Sequence, residues 1–212
     1  MQFLSLLLIA PMLAGKAQPV MPVLTVISPL SEFSEQWNDP RYEFCNTAAT
    51  ATYMSKQEKN VIWILNMART NPQLFCETVV KKYAAYSLND ELEATSWYKS
   101  LVTTMTTMKA VNTLEPSKEC YTSAQCHAYN SGVRGYVGHE RQGLCSAKEY
   151  YNGECCDYSN DDAIDIVMSL LVDENVPSLG HRNICFSSYK FIGVSIQPHK
   201  KWVHNAVLDL HY

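Results

Sequence analysis

The chain lacks the spacings on which most familiar active sites are built. It holds no H-E-x-x-H (His139-Glu140 meets no second histidine in register), no G-x-S-x-G and no phosphate-binding loop, so those three chemistries are excluded. It has no C-x-x-C pair, which removes the usual cysteine zinc cluster. No run of Lys or Arg occurs, and the formal charge of −4 argues against a nucleic-acid surface. Past the first residues, no apolar stretch reaches the roughly 20 residues that span a bilayer. Internal repeats and low-complexity tracts are absent as well. With 47% hydrophobic and 18% charged residues over 212 positions, enough apolar side chain remains to pack one domain.

The N-terminus has the pattern of an export signal. Residues 4–13 are apolar, and Gly15-Lys16-Ala17 supplies small residues before a cleavage point. Residues 1–17 are therefore expected to be a signal peptide, the mature protein to be secreted, and no transmembrane anchor to remain. Eight cysteines follow, at 45, 76, 120, 126, 145, 155, 156 and 185. An even count behind an export signal predicts disulfides. A bridge from Cys185 to Cys155 or Cys156 would tie the segment around Glu154 to the segment around His181.

Residues 18–54 are spotted with proline, lack a period and suggest an extended lead-in. The first strong element opens at Ser55-x-x-Glu58, a capping box, and Asn71-Pro72 ends it and starts another. A third helix begins near Ser96, and a short fourth spans residues 123–129. A fifth follows, capped by Ser159, with an apolar stripe of Ala163, Ile166, Val167, Leu170 and Leu171. Strict alternation in residues 192–196 and 202–210, around a four-residue loop at 198–201, predicts a β-hairpin. Helices first and paired strands last favour an α+β fold, or a helix–sheet–helix sandwich, over a doubly wound sheet.

Three glycine-flanked segments carry the residues most suited to chemistry: Gly138-His139, Gly153-Glu154 and Gly180-His181-Arg182. Imidazole and carboxylate are what a divalent metal or a proton-transfer site requires. Asp173 and Glu174 end the fifth helix, where negative charge opposes the dipole, so an acid there suggests a partner. The plainer alternatives are loop histidines bonded locally and two solvated acids.

Taken in order, the motifs resemble the CAP superfamily of cysteine-rich secretory, antigen 5 and pathogenesis-related proteins. The carrying residues are Asn66-Met67-Ala68-Arg69 with Asn71-Pro72, then Ala124-Gln125-Cys126-His127-Ala128, Gly138-His139 and Gly153-Glu154. Val176-Pro177-Ser178-Leu179-Gly180-His181-Arg182-Asn183-Ile184 and Phe191-Ile192-Gly193-Val194 complete the set, closer to the bacterial-type SCP branch. The chain departs from the family at Cys155, where an asparagine usually follows the glutamate.

The resemblance implies a CAP domain over residues 55–212, folded as a three-layer α-β-α sandwich and braced by disulfides. It further implies a cavity of two histidines and two acids able to hold Zn²⁺ or another divalent cation. Carried over by residue, the metal set is His139, Glu154, His181 and Glu174, with Asp173 as the alternative acid and His127 as a competing histidine. Family members act mostly as secreted binding or effector modules toward an unknown ligand, a lipid or sterol, or a protein partner. Two other functions stay open: a metal-dependent hydrolase of peptides or cell-wall material, and a structural extracellular domain without metal.

Overall fold

The computed structural model describes residues 26–89, 91–141 and 143–212. The expected signal peptide, residues 1–17, lies outside them.

The predicted capping box forms. Glu58 N donates to Ser55 Oγ, and Ser55 N donates to Glu58 Oε2, at the start of helix α1 (Lys56–Thr70). The second carboxylate oxygen of Glu58 accepts from Ile196 N at 2.9 Å, which ties this helix end to a strand. Asn71 then caps α2 (Pro72–Phe75), which runs through a π-helical stretch, Cys76–Val80, into α3 (Lys81–Tyr86). Helix α4 (Ser96–Thr107) begins where the sequence places it, with Thr95 as its cap.

Residues 26–54 are not extended. They coil through two 3₁₀ helices, Glu35–Asn38 and Pro40–Cys45, and bury Leu30, Phe33 and Trp37 in the main core. Trp37 Nε1 donates to Thr78 Oγ1 at 3.0 Å, so this segment is fixed by a directional contact as well as by burial.

The protein is a mixed α/β fold around a four-stranded mixed sheet. Strands β1 (Glu115–Pro116), β2 (Gly153–Tyr158), β3 (Phe191–His199) and β4 (Val203–His211) lie in the order β1-β3-β4-β2. Only β1 and β3 pair in parallel. The predicted hairpin is β3–β4, with a shorter loop than expected: β3 runs on to His199, whose Nδ1 accepts from Lys201 N and Trp202 N and closes the turn. Strand β2 is absent from the sequence expectations, and it places Glu154 on the edge of the sheet.

Helices pack on both faces of the sheet. Ile192, Val194, Ala206, Leu208 and Leu210 face α1 and α6 (Ala163–Val172) in the large core. Val207 and Cys156 face Ala124 and Ala128 of α5 (Lys118–Arg134) in a smaller one. Helix α5 has seventeen residues, well beyond the 123–129 predicted. Its buried stripe is Cys120, Ser123, Ala124, His127, Ala128, Ser131 and Gly132, small or polar side chains that do not read as an apolar face. Small residues bring its backbone close to the sheet: a Cβ on Gly193 would collide with the backbone of Cys120 and Tyr121. The fifth predicted helix, α6, is capped by Asp162, not Ser159, because Asp162 Oδ1 accepts from Ile164 N.

Among the described residues one disulfide is formed, Cys126–Cys145, and the other six cysteines are buried thiols. The expected Cys185 bridge is not closed, although the Cys155 and Cys185 side chains interact directly.

Candidate functional site

Two histidine–acid pairs meet across the edge strand β2. Alternation along β2 turns Glu154, Cys156 and Tyr158 toward α5 and turns Cys155 to the opposite face. On the α5 side, His139 Nδ1 donates to Glu154 Oε1 at 2.9 Å. On the other side, His181 Nδ1 donates to Asp173 Oδ1 at 2.8 Å. The two ring centroids are 6.2 Å apart. Four of the six residues singled out in the sequence form these two pairs.

The His181 half is positioned by backbone. Helix α6 ends with Asp173 in the left-handed region (φ 57°), and Leu179 (φ 51°) leads into α7 (Gly180–Cys185). Leu179 offers α7 no capping side chain. Asp173 serves instead: its Oδ2 accepts from His181 N at 3.0 Å and Arg182 N at 3.2 Å, two of the free N–H groups at the helix start. That is the partner that offsets an acid at the C-terminus of α6. Arg182, 2% exposed, donates from Nε to Leu171 O at 2.6 Å and from Nη2 to Val172 O at 2.8 Å. It also reaches Ser100 Oγ and Trp97 O, so one guanidinium closes the last carbonyls of α6 and holds α7 against α4.

The His139 half is positioned by charge. Register places Glu154 directly opposite Asp209 on β4, two carboxylates on neighbouring strands. Arg141 folds over both, with Nη2 2.5 Å from Glu154 Oε2 and 3.0 Å from Asp209 Oδ2. Burial, and then the Glu154 charge, push Asp209 up to about 8. Burial alone would raise Glu154 too, but the His139 hydrogen bond and the Arg141 charge outweigh it and hold Glu154 below its ordinary value. The bond to Glu154 in turn raises His139. Glu154 is the ionised member of the pair, and Asp209 keeps the proton.

Behind Glu154 lies His127, fully buried on α5, with Nε2 3.9 Å from Glu154 Oε1 and bonded to Gly138 O. Burial lowers its pKa, which keeps the ring neutral. His127, Glu154 and Cys156 each offer a ligand atom, all within 4.8 Å of one another, so this buried group can hold a metal ion. Glu174 does not join either pair. It is exposed, on the rim of a cavity of about 430 Å³ whose lining includes His181, Asp173, Cys156, Tyr158, Met168 and Leu92.

Sequence reasoning missed Arg141 and Asp209, took Cys156 for a half-cystine and gave Arg182 no role of its own. Only Asp209 left a readable trace, as a charge inside a strand whose alternate positions are apolar.

Compared with protein-family models, with curated proteins and with solved structures, the chain matches none.

Proposed function

We propose that the chain is a secreted binding module of the CAP type, whose paired imidazoles hold a divalent cation, zinc first, beside a ligand cavity. The observation that carries this reading is the pairing of each Nδ1 with a buried carboxylate. A carboxylate accepts, so Nδ1 bears the proton and Nε2 keeps the lone pair. Such bonds fix the tautomer and the orientation of metal-binding histidines. Two imidazoles on one tetrahedral zinc ion place their centroids roughly 5 Å apart, so the 6.2 Å seen here closes by about 1 Å when a metal binds. Glu154 and Asp173 then orient the rings instead of ligating, and Glu174 takes no part. The α-β-α sandwich of that family agrees with helices on both faces of the sheet. A cavity of about 430 Å³ next to His181 is of a size that takes a small ligand, and its mixed apolar and polar lining suits a lipid-like one.

The same two pairs also suit a hydrogen-bond network that needs no metal, and elemental analysis separates the readings. In His139→Ala and in His181→Ala, bound zinc should fall by one equivalent relative to the wild-type protein. Zinc that is absent from the wild type, or unchanged in both variants, would leave a disulfide-stapled domain with a purely structural cluster. A metal held by two imidazoles keeps positions open for water and acidifies it, so hydrolase screens follow only from the first outcome.

A further inference from the structure

Three polar groups lie in the smaller core, between α5 and the sheet, where apolar contact with Ala124, Ala128 and Val207 would be expected. His127 is fully buried, and its Nδ1 has no hydrogen-bond partner among the described residues. Glu154 and Cys156 stand two positions apart on β2, so the pleat aims both at this ring. Cys156 forms no disulfide, unlike the nearby Cys126–Cys145 pair. Its Sγ is 3.8 Å from Glu154 Oε1 and 3.7 Å from His139 Nδ1.

We propose that His127, Glu154 and Cys156 form a second metal site, for a borderline-soft cation of the zinc type, separate from the gap between His139 and His181. Tetrahedral zinc with N, O and S ligands sets its ligand atoms roughly 3.3–3.7 Å apart. The 3.8 Å to Cys156 Sγ and the 3.9 Å to His127 Nε2, both from Glu154 Oε1, need a contraction of only a few tenths of an ångström. Ligation through Nε2 moves the ring proton from Nε2, where it bonds Gly138 O, to the unpartnered Nδ1. Glu154 Oε1 has two lone pairs, one for the His139 N–H and one for the cation. Coordination makes Cys156 a thiolate, its proton leaving to solvent. The cation and Arg141 then face the Glu154 carboxylate and the thiolate, while Asp209 keeps its proton. A thiolate with an imidazole and one carboxylate selects zinc-like metals over calcium or magnesium, which prefer all-oxygen shells. The site shares Glu154 with the pair proposed above but takes nothing from His181 or Asp173.

Cobalt(II) added to the full chain tests this, because only a sulfur ligand gives a near-ultraviolet thiolate-to-cobalt charge-transfer band. The band is expected in the wild-type protein and in His181→Ala. It should vanish in Cys156→Ser, and cobalt affinity at this site should drop at least about tenfold in His127→Gln. Cobalt bound without the band, a band that survives Cys156→Ser, or a band lost in His181→Ala would each overturn the proposal. Failure of the His139–His181 reading looks different: zinc unchanged in both histidine variants, with the cobalt band intact.

Discussion

The two histidine–acid pairs have similar hydrogen bonds and opposite foundations. Asp173 is fixed by the N-terminus of α7 and by a helix end that Arg182 closes, all neutral backbone apart from one cation. Glu154 is fixed by ionisable groups: Arg141 above it, protonated Asp209 across the strand pair and His139 beside it. The outcome shows in exposure. The His181 side chain is 21% exposed on a helix, whereas that of His139 is 56% exposed on a loop. One half is set by backbone and helix-end geometry, and the other by the ionisation states of Arg141, Glu154, Asp209 and His139.

The sharpest way to break this contrast is Arg182→Ala. It strands the carbonyls of Leu171 and Val172 and empties the space between α4, α6 and α7. A loss of about 3–5 kcal/mol is expected, nearly the same at pH 5 and pH 8, read from urea midpoints. Next in size is Arg141→Ala, at roughly 3 kcal/mol at pH 8, because it leaves two buried carboxylates without their cation. Here the loss should shrink toward pH 5, since protonating a carboxylate removes the unpaired charge. Equal losses at both pH values would show that Arg141 acts by packing alone and that the contrast is wrong.

What the sequence made legible follows the same division. Ser55-x-x-Glu58, Asn71-Pro72 and the alternation of β3 and β4 are local signals, and the elements they announce are present. Helix α5 was underestimated because its buried stripe is Ser, Ala, His and Gly, chosen for close approach to the sheet rather than for apolar area. The choice between Asp173 and Glu174 needed the left-handed turn at Asp173, which puts the first carboxylate under α7 and leaves the second in solvent. Arg141 and the pairing of Asp209 with Glu154 were hidden for a different reason. Alternation marks the face of β4 that carries Asp209, but only the tertiary fold shows that a loop and α5 cover it.

The smallest expected effect isolates one proton. Asp209 holds its proton to about 8 in the folded protein, because burial and the opposing Glu154 charge disfavour ionisation, against an ordinary value of 3.8. Between those values the native state binds more protons than the unfolded state, so stability must fall as pH rises through that window. The contribution is complete below the unfolded value and is gone above the folded one. His139 adds to the same trend, since its raised pKa supplies stability that is full below its ordinary value and is lost as pH climbs. Glu154 works the other way and only in acid, where its lowered pKa makes stability fall once the carboxylate is protonated. Asp209→Asn keeps an N–H donor in place of the shared proton and cannot ionise. With chelator present, thermal midpoints of the variant should lie near wild type at pH 5 and hold up better toward pH 8, flattening the decline without abolishing the share due to His139. A variant whose decline matches wild type across that range would mean that Asp209 is ionised throughout. Arg141 would then be pairing two anions, and the His139 half would owe its position to a salt bridge rather than to a proton held between two strands.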